Sequence, residues 1–476
     1  MNRTTETIIN AQDIINLITN ILGVKNDQPL IGDYLEYEKL KQVLQLKIKS
    51  KGGSKEELLN EVAMYIKYSI NTSHSQFFNQ LFAGRNLPAI FGDVLASLLN
   101  STVTTFEASP VLTIIEETLI SKMCKLVGFN NGDGIFVSGG SFANIVAILC
   151  ARHKKLKNVK NQGLSKSKQL IMFVSDQAHY SLLNAANVAG IGLENVIKIK
   201  TDLSGKIILA DLERKISLSI QKKQEPFLIV STAGTCTVGA FEGITEIVAI
   251  SSKYNLWLHI DACFGGSVIL SSKYKNLLDG CFAADSISWD AHKAMCIPLV
   301  CSTLLVRESS WLPAVCDTSN ADYILHSDKN MAHNIGRKTI QCGRRSDALK
   351  LWCAWKILGD EGYDLQITQL IDLARYASEI VMGSLNLELY MSPQSFIVCF
   401  RYKTNLRIDH NAFNKTLRSK LLESRQSFVN YVTLSGILYL RLAIVNPHIE
   451  EQDIDKFFAN VEREAQSLIQ SMAGEI

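Results

Sequence analysis

The sequence predicts an α/β protein: a large domain on a mainly parallel central sheet, a small α+β domain after it and a helical segment before it. Three observations carry this. From Gly132 to about Arg307, short apolar runs alternate with helix-like stretches, the pattern of βαβ units whose sheet is buried on both faces. The first ~110 residues carry helical spacing instead. After Gln341 a helical stretch, DALKLWCAWKIL, leads to two more apolar runs, FIVCFRY (396–402) and GILYLRLAIV (436–445). The boundaries expected are 1–109, 110–370 and 371–476.

Composition narrows the function classes. With 476 residues and 47% hydrophobic content the chain can build a substantial core. Its net charge of +3 and lack of any basic block argue against a nucleic-acid partner. Eleven cysteines, an odd number with no C-x-x-C pair, argue against a disulfide framework or a metal site and fit a reducing cytoplasm. The N-terminal stretch carries Glu6 and Asp13 inside its apolar pattern, so it reads as an amphipathic helix rather than a signal peptide. The uncharged run Ala294 to Val306 contains Pro298 and is too short to span a bilayer, so no membrane partner is expected.

The sheet elements then set out the chemistry in order. In open α/β sheets ligands sit beyond the C-terminal ends of strands, so polar residues just after apolar runs matter most. VSGGSFAN (137–144) opens a helical run with two glycines and a serine, which suits a phosphate dianion at exposed backbone N–H groups. It is neither a dinucleotide fingerprint nor a Walker loop, and alone it fits an ordinary Gly-rich turn. LIMFVS (170–175) is followed by His179, an imidazole able to lie on an aromatic ring, though a lone strand-end histidine is more often structural. LWLHIDA (256–262) delivers Asp261, a carboxylate that needs a cationic partner once buried, with a helix cap as the plain alternative. SISWDAHK (286–293) ends on Lys293. A lysine amine beside cationic or apolar neighbours loses its proton readily enough to attack an aldehyde, whereas most lysines are merely exposed.

Each signal is modest alone, but their order is specific. One ligand with a phosphate, a flat ring, a ring nitrogen and an aldehyde accounts for all four, and that ligand is pyridoxal 5′-phosphate. Its ring withdraws electrons well only while the nitrogen holds a proton, which is the task for Asp261.

With those residues in place, the chain resembles the group II pyridoxal-phosphate-dependent amino-acid decarboxylases of fold type I (aspartate-aminotransferase-like). Within them it is most similar to the glutamate, cysteine-sulfinate and aspartate decarboxylase branch. The resemblance spans roughly residues 60 to 465 and rests on NTSHSQFFNQLFAG, DGIFVSGGSFAN, AHYS, STAGT, GAFE, HIDACFGGS, AHK, IQCGRRSDALKLWCAWK and RLAIVNP. It implies that Lys293 forms the Schiff base, that His179 stacks on the ring and that Asp261 pairs with the ring nitrogen. It implies phosphate contacts at Gly140, Ser141, Ser286 and His292, and cofactor contacts at Cys236 and Cys263. Arg441 matches the arginine that grips the substrate carboxylate, and a guanidinium fork suits that task. Gln80 and Phe82 match positions lining the side-chain pocket, where a phenylalanine favours a shorter acidic substrate. The active form implied is a homodimer, one copy's loop closing over the other's site.

The departures are instructive. The usual Asn-Pro-His-Lys reads Asp290-Ala291-His292-Lys293, a threonine is replaced by Cys236, and an alanine by Cys263. The loop Asp328 to Lys338 lacks the tyrosine thought to reprotonate the product, which leaves His333 as the candidate donor. The expected activity is decarboxylation of aspartate, cysteine sulfinate, glutamate or a nonstandard amino acid. An oxygen-consuming aldehyde synthase and a catalytically silent scaffold are the alternatives.

Overall fold

A computed structural model describes residues 9–23, 30, 32, 34–44, 46–164, 168–318, 321, 323–326 and 329–474; Glu6 and Asp328 lie outside them. The chain groups into two compact units, one of residues 1–80, 402–440 and 448–476, the other of residues 81–401 and 441–447.

The second unit is built on seven strands: β1 (Asp133–Val137), β2 (Leu170–Ser175), β3 (Val196–Ile199), β4 (Glu225–Thr232), β5 (Trp257–Asp261), β6 (Ser286–Asp290) and β7 (Ser302–Val306). Their spatial order is β1-β7-β6-β5-β4-β2-β3. β2 pairs in parallel with β3 and β4, β4 with β5, and β5 with β6, while β7 runs antiparallel between β1 and β6. The mainly parallel sheet expected from the apolar runs is therefore present. β2, β5, β6 and β7 are buried along their whole length; β2 and β7 read as mainly apolar runs, while β6, SISWD, alternates in sequence although both its faces are covered. Trp257, Trp289, Phe173 and Phe227 are among the largest side chains wholly inside.

Helix α1 (Pro110–Val127) starts with proline in its first turn and ends at Gly128, whose φ of 83° a side chain would resist. It is tied to β1 by a buried ion pair: Arg344 Nη2 lies 2.6 Å from Glu116 Oε1 and also donates to the Phe136 carbonyl at 2.8 Å. Helix α2 (Gly140–Lys155) follows β1 after a turn at Gly139 with φ 108°. The DALKLWCAWKIL stretch is the start of α3 (Asp347–Gly383), broken at Gly359, where φ is 65°.

In the first unit, the amphipathic N-terminal pattern forms a helix, Ala11–Leu22, capped reciprocally by Asn10 and Asp13. Helices Tyr37–Val43 and Lys55–Tyr68 bear out the helical reading of this region. Phe77–Phe78 pairs in parallel with the strand Phe428–Leu434. A buried polar chain secures that end: Asn460 Nδ2 donates to Ser427 Oγ at 2.9 Å, and Ser427 Oγ donates to Gln76 Oε1 at 2.9 Å. No helix of the described residues is long and apolar enough to cross a membrane.

Behind β4, Glu242 is buried, and its Oε2 accepts the Thr232 N–H at 2.9 Å. Burial pushes its carboxyl from 4.5 up to about 8, against the opposing pull of that N–H. The folded chain thus holds this proton more tightly than the unfolded chain. Stability from it is full below pH 4.5 and is lost as pH rises towards 8. The total is roughly 5 kcal/mol. Glu242→Gln should flatten this decline. Urea unfolding of both proteins at several pH values checks it, and an unchanged slope in the variant would exclude Glu242 as the source.

Candidate active site

The parallel strands of the second unit deliver their polar residues to one edge of the sheet. Gly139 and Gly140 follow β1, His179 follows β2, Cys236 follows β4, Asp261 ends β5 and Asp290 ends β6, with His292 and Lys293 in the next turn. The structure thus brings together most of the residues singled out in the sequence.

Asp261 is 5% exposed and has three donors. Asn144 Nδ2 reaches its Oδ2 at 2.9 Å, while the Cys263 N–H at 3.2 Å and Ser288 Oγ at 3.4 Å reach Oδ1. Burial works against ionisation, yet His259, Asn144 and Lys293 outweigh it and hold the carboxyl below its ordinary value. Among the described residues no cation is hydrogen-bonded to this carboxylate, so a protonated ring nitrogen would be a suitable partner for it.

Behind Asp261 runs a directed hydrogen-bond chain. Asn144 gives its two amide hydrogens to Asp261 and, at 3.0 Å, to Ser181 Oγ, so its Oδ1 is an acceptor, filled by His259 Nε2 at 3.0 Å. His259 therefore carries its proton on Nε2. Its Nδ1 accepts from Ser286 Oγ at 2.9 Å, which in turn accepts from Trp257 Nε1 at 2.8 Å. Burial lowers His259 to about 4, despite the pull of Asp261, and keeps it neutral. The same Asn144 reaches the second histidine, because Ser181 Oγ meets His179 Nδ1 at 2.8 Å. With the Ser181 N–H also on Nδ1, neutral His179 bears its proton on Nε2. Burial lowers His179 as well.

Lys293 lies 3.2 Å from Asp290 Oδ2. Burial opposes its charge, but Asp290 first, and Asp261 with it, outweigh burial and raise its pKa. This corrects the expectation of cationic or apolar surroundings: the neighbours are carboxylates, and the amine is held as an ammonium. His292 is buried beside them, its Nδ1 accepting the Cys301 N–H at 3.1 Å and its Nε2 lying 3.7 Å from Asp290.

The cofactor's other contacts fit less uniformly. No side chain caps α2, which leaves its first-turn N–H groups without a capping partner, and a Cβ on Gly139 would meet nothing within 4 Å. Cys263 Sγ bonds Ser288 Oγ at 3.2 Å. Ser286 needs correction: it starts β6 at the opposite end from Asp290, is fully buried, and its hydroxyl is taken by Trp257 and His259. It stands in the support behind the site, not at the phosphate turn.

Arg441 Nη1 donates to the Cys236 carbonyl at 2.7 Å, on the side where Lys293 and Asp261 act on the Cys236 thiol. Phe82 is half-buried and precedes Ala83, whose carbonyl takes Cys296 Sγ at 3.2 Å, while Cys296 N–H bonds the Lys293 carbonyl. Gln80 is exposed and belongs to the other unit. His333 does not contact the lysine cluster: its Nδ1 lies 3.0 Å from Glu117 Oε1 on α1.

Sequence reasoning missed Asn144 and His259 as functional residues. Both carried a signal: His259 is two residues before Asp261, on the same strand face, and Asn144 lies one turn into the helix after the glycine pair.

The family profile described as "Pyridoxal-dependent decarboxylase conserved domain" matches residues 38–403. A cysteine sulfinic acid decarboxylase of Rattus norvegicus is 36% identical over 474 residues, covering 95% of this chain and 96% of its own. An acidic amino acid decarboxylase, GADL1, of Xenopus tropicalis is 35% identical over 468 residues, covering 95% and 92%. The crystal structure of mouse CSAD superposes with a TM-score of 0.91 at 33% identity, covering 95% of this chain and 97% of that one.

Asn144→Ala removes the donors to Asp261 and Ser181 together and should cost about 2 kcal/mol of stability. In an Asp261→Ala background the cost should shrink, because both changes remove one contact. Denaturant unfolding of the four proteins checks this; strictly additive losses would mean that the amide does not hold the carboxylate.

Proposed function

We propose, from the premise that this chain belongs to the pyridoxal-dependent decarboxylase family, that it removes CO₂ from a short acidic amino acid. Cysteine sulfinate and aspartate are the favoured substrates, ahead of glutamate. The observation that carries the reading is the meeting of Lys293 and Asp261 at one sheet edge, with the Arg441 guanidinium beside Cys236. The similarity to decarboxylases named for cysteine sulfinic acid and for acidic amino acids supports the substrate class, and Phe82 supports its shorter members.

Pyridoxal 5′-phosphate, the family's cofactor, supplies an aldehyde for the amine and a ring that draws electrons from the bond to the carboxylate. Lys293 would be the amine that holds it, Asp261 would keep its ring nitrogen protonated, His179 would lie against its ring, and the first turn of α2 would take its phosphate. His292 supports the lysine turn, and Cys236 and Cys263 line the ring's surroundings. Arg441 orients the substrate carboxylate, and Phe82 bounds the side chain. His333, oriented by Glu117, donates the proton that completes the amine. The working form is a cytoplasmic homodimer in which this loop serves the partner's site. The exposed apolar side chains Phe91, Leu98, Val111 and Ile114 offer surface for that association.

The absence of tyrosine from 328–338 favours one second reading, an aldehyde synthase that consumes oxygen and releases hydrogen peroxide. A panel of amino acids assayed for CO₂, amine, aldehyde and oxygen uptake separates the two. The expected result is CO₂ and amine in equal amounts without oxygen uptake, all lost in Lys293→Ala; CO₂ release persisting in that variant would overturn the assignment. Phe82→Ala should shift preference towards glutamate by roughly tenfold in kcat/KM, in keeping with a pocket lengthened by one ring.

A further inference from the structure

One carboxylate stands where an anion-binding turn leaves least room for it. Asp290 is 2% exposed, and its Oδ1 has no hydrogen-bond partner. A Cβ built on Gly140 would lie 2.8 Å from Asp290 Oδ2 and 3.1 Å from Oδ1, so both oxygens crowd the opening of α2. An oxygen buried without a donor is costly, and one facing an uncapped helix N-terminus marks a place prepared for another polar group.

We propose that Asp290 makes cofactor capture conditional on a proton: its carboxylate shares the cradle at the start of α2, and the cofactor's phosphate enters only with a proton held between the two anions. The inference rests on the cofactor assignment above. It concerns Asp290 in particular, since the resembling enzymes carry asparagine there.

Titratable groups face Asp290 from several neighbouring elements. From its own turn come Lys293 at 3.2 Å and His292 at 3.7 Å. From β5 come Asp261 and Cys263, from the segment after β2 His179, from that after β4 Cys236, and before β7 Cys301. Near pH 8 each keeps one charge state. Burial lowers both histidines, so they are neutral. It raises the three thiols, so they stay protonated. Asp261 is held ionised, and Lys293 is held charged. The two neutral imidazoles are the other groups able to take up a proton on binding, and the Asp290→Asn variant separates them from the carboxylate–phosphate pair.

The test uses the cofactor-free full chain and pyridoxine 5′-phosphate, which has the phosphate and ring but no aldehyde and so leaves Lys293 chemistry out. Calorimetry near pH 8 in buffers of different ionisation heat should show uptake of about one proton by the native chain and none by Asp290→Asn. The variant should bind about tenfold tighter there, with the advantage shrinking as pH falls. Pyridoxine, lacking the phosphate, should bind both proteins alike. No proton uptake by the native chain overturns the proposal whether or not the variant folds. So does a variant that binds no tighter, or one that gains equally for pyridoxine. A native chain that fails to form a borohydride-reducible adduct at Lys293 with pyridoxal 5′-phosphate would instead overturn the functional reading.

Discussion

Asp261 is a charge placed almost out of reach of water, at the end of a strand whose every residue is buried. A carboxylate there is tolerated only if donors surround it. One side chain does most of that work. The amide of Asn144 faces Asp261 with one hydrogen and the His179 side of the site with the other, while its oxygen is fixed by His259. The orientation of the amide is set from behind, through Ser286 and Trp257, deep in the sheet. The charge at the reaction edge thus depends on neutral groups in the core, and the low pKa of His259 is part of the same arrangement.

The lysine turn is organised on a different principle. Asp261 is hydrogen-bonded by neutral donors and feels Lys293 only through its charge, whereas Lys293 has a carboxylate, Asp290, as its nearest partner. Two carboxylates at the ends of adjacent strands act on one ammonium, and Gly140 at the start of α2 lies against the second of them. A cofactor entering this edge must replace some of these contacts with its own, which ties its affinity to the same charges that later position it.

Much of this was legible in the sequence, for physical reasons. Buried strands are rich in apolar residues, so the parallel strands of residues 170–175, 225–232, 257–261 and 286–290, and the antiparallel one of 302–306, announced themselves. β3 is only four residues long, and its Lys198 interrupts the pattern, so it did not. Residues fixed at strand ends, such as Asp261 and Lys293, could be located by counting. Residues that act through direction could not. Ser286 has the right chemistry for a phosphate, but five residues of strand put it at the far end of β6 from the turn. The antiparallel run of β7 was equally hidden, because strand direction leaves no mark on an apolar run.

That reversed strand determines how far the lysine turn can drift. Ser302 pairs with Asp290 on one side and with Val137 on the other, so β7 rivets the end of β6 to the strand that leads into the glycine pair. A slip of one residue would exchange the two faces of β7, and both are buried. Insertions between Ala291 and Cys301 must therefore bulge outward and cannot be absorbed by sliding. The spacing between amine and anion cradle is inherited from a ladder of backbone hydrogen bonds.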